Sequence, residues 1–249
     1  MLASLPMYDR PGNAAAHDAL WSAIRDGLRA RGIAAPDRLD RTVPHREGWR
    51  RADLVLGQVC VRPLLREHRD LVRIGCLDHG LPDTPAGFYR SVFVSRADDP
   101  RDPAAEGLRF AYNSPCSHSG WGAAQAWRAA RGLPPLPATL RTGGHLASLA
   151  ALREGRADLA CVDLVTLAID ARLGGGPRAL HLGPRTAPVP GQTLVTRHPD
   201  PAPFREAVRD ALAALSGAHR RALGGRALAV PPDAAYAAVP LPADPPAAA

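Results

Sequence analysis

The stretch Leu108-Arg109-Phe110-Ala111-Tyr112-Asn113-Ser114-Pro115-Cys116-Ser117-His118-Ser119-Gly120-Trp121 decides how this chain is read. Leu108–Tyr112 has the apolar, aromatic-rich character of a short buried strand. A polar turn follows, and the periodicity predicts a helix over Ser119–Arg131. A strand that passes through a polar turn into a helix is the building unit of an α/β fold. The unit recurs at Thr139–Thr142, which leads through Gly143, Gly144 and His145 into a helix predicted over Leu146–Glu154.

Outward from this centre, strand-like and helix-like segments alternate, so the fold class is α/β with largely parallel strands. Strands are predicted at Leu2–Leu5, Asp53–Gly57, Leu71–Leu77, Asp158–Val162, Ala179–Leu182 and Gln192–Arg197, with one longer strand over Phe88–Arg96. Helices are predicted over Ala14–Ala30, with Asn13 as N-cap and Gly32 as stop, over Leu164–Arg172 and over Pro203–Leu215. The strand at Phe88–Arg96 closes a first α/β unit, and the Pro-rich segment Thr186–Gly191 precedes a strand that rejoins it. This gives one lobe from residues 1–92 and 188–239, a second from 93–187, and a cleft between them as the default ligand site. The Pro/Ala-rich tail 240–249 is expected to be disordered.

Composition narrows the function. Of 249 residues 46% are hydrophobic and 22% charged, which supports a folded core. No run approaches the ~18 apolar residues of a membrane span, so no direct membrane insertion is expected. All 31 basic residues are arginine, against 24 acidic ones, for a net charge of +7. They are interleaved with Asp and Glu and form no basic block, which argues against nucleic acid and leaves an anionic small molecule as the partner. Cys60, Cys76, Cys116 and Cys161 lack metal-ligand spacing, so neither a zinc site, a disulfide framework nor a cofactor is expected. The N-terminal residues carry no basic and apolar leader. The chain as it stands is therefore expected in the cytoplasm, or in the periplasm if a leader precedes it.

Both strand–turn–helix junctions can carry chemistry. A helix N-terminus presents unpaired N–H groups and a positive dipole end. Ser117 and Ser119 add hydroxyls, Gly120 permits close approach, and His145 stands at the mouth of the second junction. Ser117 or Ser119 also reads as a simple N-cap, and His145 as a cap or surface residue. In open α/β sheets ligands lie beyond the carboxyl ends of the strands, so the two junctions can converge on one anion. Neither matches a nucleotide phosphate loop, since no Gly-Lys-Ser/Thr follows. Tyr8, ending the first strand, and Tyr89, beside the crossing, are further ligand candidates that read equally as core aromatics. Cys116 and His118 read only weakly as a nucleophile–base pair, and no catalytic residue is assigned.

Together, Gly-Phe-Tyr-Arg-Ser-Val at 87–92, Ser-His-Ser-Gly at 117–120 and Gly-Gly-His-Leu-Ala-Ser at 143–148 resemble the phosphate/phosphite/phosphonate-binding family of periplasmic binding proteins, the substrate receptors of ABC importers. Arg51–Gly57 is similar to the family's first-lobe strand and Pro190-Gly191 to its return hinge; the likeness covers roughly residues 1–215. It implies a two-lobed type II periplasmic-binding-protein fold with a hinge and an interlobe cleft, closing over a small oxyanion for ABC-type import. It implies that Ser117, His118 and Ser119 hold phosphonate oxygens, with His145 and Tyr89 beside them. A membrane permease is the implied partner, and a monomer the expected state.

The chain also departs from the family pattern. Gln192 stands where aminoalkyl-binding members place a carboxylate after the hinge. A second carboxylate position falls near Val165, with Asp163 two residues away as the substitute ligand candidate. An ammonium group would be poorly compensated there, which disfavours aminoethylphosphonate. A first-lobe tyrosine has no counterpart around Val43–His45. The alternative is a cytosolic enzyme or sensor on the same fold, similar to chorismate dehydratase or the thiamine pyrimidine synthase. A regulatory effector domain is third, with no helix-turn-helix read ahead of the lobes.

Overall fold

A computed structural model describes residues 1–246, so the last three residues of the tail expected to be disordered lie outside the described ones. The chain divides into two units, Met1–Phe88 with Pro190–Ala237, and Tyr89–Val189 with the described residues from Ala238 onward.

The first unit opens with strand β1 (Leu2–Ala3), a 3-10 turn at Pro11–Asn13, and helix α1 (Ala14–Ala30). Asn13 precedes the helix but does not cap it. Its Oδ1 accepts from Arg10 N–H at 2.8 Å and its Nδ2 donates to Tyr8 O at 3.1 Å, which fixes the loop after β1 instead. Short helix α2 (His45–Gly48), strand β2 (Leu54–Val59), helix α3 (Val61–Glu67) and strand β3 (Val72–Asp78) follow. The chain leaves this unit through the two-residue strand β4 (Phe88–Tyr89).

The second unit holds β5 (Ser91–Arg96), β6 (Phe110–Tyr112), a π-helical turn at His118–Gly122 that continues as α4 (Ala123–Ala129), β7 (Leu140–Arg141), α5 (His145–Arg153), β8 (Leu159–Asp163), α6 (Leu164–Arg172) and β9 (Leu180–Arg185). Strand β10 (Val189–Pro190) returns the chain to the first unit, which adds β11 (Thr193–Thr196), α7 (Ala202–Ala214), α8 (Gly217–Leu223), β12 (Ala227–Ala229) and α9 (Asp233–Ala237).

Two further expectations are corrected. The sheets are mixed rather than largely parallel. In the first unit the order is β1-β2-β11-β3-β12, with β1 parallel to β2 but β11 and β12 antiparallel to their neighbours. The returning chain enters where β2 and β3 end, Thr193 lying opposite both Val59 and Cys76, so it runs the other way. The strand predicted over Phe88–Arg96 is broken at Arg90, whose carbonyl accepts from Leu164 N–H at 3.0 Å.

Each unit builds its own core. In the first, Leu20, Trp21, Ile24 and Leu28 of α1 and Phe204, Val208 and Leu212 of α7 form two helical stripes over Leu56, Ile74 and Leu194 of the sheet. In the second, the order is β7-β6-β8-β5-β9, and side chains alternate across the sheet. Val92, Val94, Ala111 and Val162 meet Leu149, Leu152 and Leu167 on one face. Phe93, Phe110, Tyr112 and Leu159 meet Trp121 and Leu136 on the other. Full burial of such side chains supplies about 1.5–3 kcal/mol each.

Candidate anion-binding site

Three parallel neighbours of the second sheet, β7, β6 and β8, finish on one edge, and each passes into a helical segment. Adjacency of β6 and β7 brings the two predicted junctions side by side. Backbone bonds stitch them together, with Thr142 N–H to Tyr112 O and Gly143 N–H to Asn113 O, both 2.9 Å. Gly143 has φ +86°, a left-handed turn that favours glycine.

At the first junction Ser117 is the N-cap, its Oγ accepting from Gly120 N–H at 3.1 Å. The turn after it is π-helical, with Gly122 N–H reaching Ser117 O at 3.1 Å, a wide turn of the kind found at functional sites. Ser117 Oγ lies 3.3 Å from Ser119 Oγ, and Ser119 Oγ lies 2.8 Å from His145 Nε2 of the second junction. A Cβ at Gly120 would stand 2.0 Å from Asn113 Oδ1, so the Asn113 side chain would have to shift to admit any other residue. At the second junction Thr142 Oγ1 and Ser148 Oγ are hydrogen-bonded at 2.7 Å, and both lie within reach of Gly144 O, at 3.1 and 3.3 Å, which fixes the start of α5 under His145.

In this hydroxyl–imidazole contact either atom can be the donor, depending on the tautomer of His145. When His145 Nε2–H donates to Ser119 Oγ, the Ser119 hydroxyl proton is free to be given to another acceptor. Ser117, His118 and Ser119 are each less than a tenth exposed, and His145 is half-buried. A water-poor setting of this kind strengthens each bond to an ionised guest.

The other expected residues fall at three places. Asp163 ends β8 on the same edge and caps α6, its Oδ1 accepting from Val165 N–H at 2.7 Å and Thr166 N–H at 3.4 Å. Ser91, opposite Asp163 in the ladder, puts the start of β5 at that edge, and the fully buried Tyr89 lies just before it. Tyr8 belongs to the first unit, where its ring meets the edge of His79 with centroids 5.2 Å apart. Tyr8 and His79 follow β1 and β3, at the carboxyl ends of that sheet. Sequence reading missed His79, Asn113, Thr142 and Ser148. For His79 the available signal was its place directly after a predicted strand; for the others only tertiary contact reveals a role. The Cys116 thiol lies 3.1 Å from Ser114 Oγ. Among the described residues no three His, Cys, Asp or Glu side chains come together as a metal site.

Comparison with known proteins decides the family. Residues 65–231 match the profile described as ABC transporter, phosphonate, periplasmic substrate-binding protein. This chain belongs to that family. The phosphonate-type binding protein is thus a substrate-binding component by descent, in a family of transporter receptors rather than of enzymes, and one that is normally periplasmic. Among the described residues no helix is long and apolar enough to cross a membrane.

Solved structures share its fold. PhnD1 from Prochlorococcus marinus, in complex with methylphosphonate, is similar at 14% identity and TM-score 0.67, covering 94% of each chain. XAC2383 from Xanthomonas citri, bound to chloride ion, is similar at 18% identity and TM-score 0.68, covering 96% of this chain and 94% of that one. The binding protein component of an ABC phosphonate transporter from Pseudomonas aeruginosa is similar at 15% identity and TM-score 0.65, covering 95% and 82%. These likenesses establish the two-lobed type II periplasmic-binding-protein fold. No curated protein matches the sequence.

Proposed function

We propose that this binding protein takes a small oxyanion (phosphate, phosphite or a simple phosphonate) at the paired turns of its second unit, without catalysis, and presents it to an ABC-type permease. The observation that carries the reading is the 2.8 Å contact between Ser119 Oγ and His145 Nε2, which makes one donor site of two junctions far apart in sequence. Bonds to an ionised group net about 1.5–3 kcal/mol each, so four or five of them support micromolar affinity after ordering losses. Ser117, His118, Ser119 and His145 supply the donors. Tyr89 at the same edge, and Tyr8 in the first unit, are further ligand contacts in this reading. Asp163 enters as the cap that fixes the β8–α6 turn. Function in the periplasm as a monomer belongs to the same proposal.

Thermal unfolding with added methylphosphonate, phosphite, phosphate or sulfate tests it. A specific ligand stabilises by RT ln(1 + [L]/Kd), about 2.7 kcal/mol at a hundredfold excess over Kd. The ligand is expected back unchanged in its phosphorus NMR spectrum. Absence of any shift at millimolar oxyanion refutes the binding site, and a converted ligand refutes the non-catalytic reading.

A further inference from the structure

The chain passes from one unit to the other a third time, at Ala237–Ala238, after its two crossings through β4 and β10. Both flanks of this third passage are anchored. On the near side, Tyr236 of α9 is 2% exposed, and its hydroxyl lies 3.2 Å from Thr193 Oγ1 and 3.5 Å from Cys76 Sγ. Thr193 Oγ1 in turn donates to Gly191 O, in the segment by which the chain re-enters the first unit. Arg73 stacks 4.3 Å from the Tyr236 ring centroid and pairs with Asp233 at 2.8 Å, which holds α9 from its other side.

On the far side, Ala243 O accepts the indole N–H of Trp121 at 2.8 Å. Trp121 belongs to the π-helical turn that carries Ser119, two residues away, and its ring is wedged against Tyr112 with centroids 5.1 Å apart. Between the anchors run Ala237-Ala238-Val239-Pro240-Leu241-Pro242-Ala243, seven residues with two prolines. Proline fixes φ and favours an extended, semi-rigid chain. At ~3.3–3.6 Å per residue such a segment spans at most about 25 Å, so its anchors have a fixed maximum separation.

We propose that residues 237–243 are a strap, tying the Tyr236 anchor of the first unit to Trp121 beside the anion-binding turn, which limits how far the two units separate. Trp121 is thereby a positioning residue, acting on the ligand through the turn that carries Ser119.

The test reads the distance between units without any ligand. Nitroxide labels at Arg38→Cys and Arg172→Cys, both exposed and one in each unit, report that distance by pulsed electron resonance; the native cysteines are all buried. Trp121→Phe keeps a ring and removes the N–H, and truncation after Ala237 removes the strap. Both are expected to broaden the distance distribution of the unliganded protein toward longer separations. Affinity for methylphosphonate is expected to weaken about two- to tenfold, the worth of one hydrogen bond. Distributions superimposable on the parent's in both variants overturn the strap. Broadening by truncation alone overturns Trp121 as its anchor. The affinity arm rests on the proposed oxyanion site, but the distance arm does not, so a protein that binds no methylphosphonate still decides it.

Discussion

Ser119 Oγ and His145 Nε2 lie 2.8 Å apart although 26 residues separate them in the chain. The contact exists because β6 and β7 are parallel neighbours, with Tyr112 opposite Arg141, so that the turns after them meet. Each residue alone is an ordinary helix-start polar group. Together they form a hydroxyl–imidazole pair in which either atom can donate.

Ser119→Ala and His145→Ala are therefore each expected to weaken oxyanion binding by about 10- to 100-fold, the worth of a bond to a charged group. Their effects are expected to be less than additive, because each substitution already breaks the shared bond. Calorimetric titration of the parent, both single variants and the double variant with methylphosphonate measures the coupling. Full additivity would mean that the pair acts as two independent contacts.

Gly120→Ala probes the same turn from the backbone side. The new methyl would meet Asn113 Oδ1 at 2.0 Å and Asn113 N at 3.3 Å, and the Asn113 backbone carbonyl accepts from Gly143 N–H, so a shift that reaches the Asn113 backbone disturbs both junctions. Overpacking of this kind costs about 1–3 kcal/mol. A lower melting temperature together with loss of methylphosphonate binding is expected. Gly107→Ala, with no atom within 4 Å of its Cβ, carries backbone strain alone and is expected to spare binding.

The sequence made some of this legible and hid the rest for identifiable reasons. Helices α1 and α6 are found at the expected residues because apolar periodicity and flanking turn residues agree there. The two junctions could be read because strand, glycine and helix signals are local. Helices α3, α8 and α9 were missed, being seven residues or fewer and rich in Arg or Ala, too short for a period to show. The break at Arg90 follows from a bond to Leu164, and the Trp121–Ala243 contact spans 122 positions; no local pattern encodes either. Asp163 was within reach, since an Asp directly before a predicted helix is an N-cap signal.

Arg128 shows why a basic composition is a poor guide to partners. It is 2% exposed, and its guanidinium donates to Pro103 O at 2.6 Å, Ala105 O at 3.0 Å and Pro134 O. It thus pins two loops of the second unit to α4. Arg128→Met would leave three carbonyls unpaired, at about 3 kcal/mol or more. A melting temperature lower by about 6–12 °C is expected by calorimetry for a chain of this size. Arg128→Lys is not expected to rescue it, because an ammonium cannot reproduce the planar fork.

Acid sensitivity is expected to come first from histidines. His45 and His68 flank Trp49, with ring centroids 5.0 and 5.5 Å from it, and His17 is buried in α1. Burial holds all three below the ordinary histidine value. For His45 Arg46 adds to the effect; for His68 Glu67 and Asp70 oppose it, and for His17 Asp9 does. A folded value below the unfolded one means that the unfolded chain takes up protons first. Stability is therefore complete above about pH 6.5 and declines as pH falls below it. Paired carboxylates such as Asp70 and Asp158, held low mainly by Arg197 and Arg109, lose their contribution only below about pH 4. Melting temperature is thus expected to fall between pH 7 and 5, and His68→Phe, which keeps a ring edge against Trp49, is expected to flatten that slope. A parent protein equally stable at both pH values, or more stable at pH 5, would show that these imidazoles accept protons as readily in the fold as outside it.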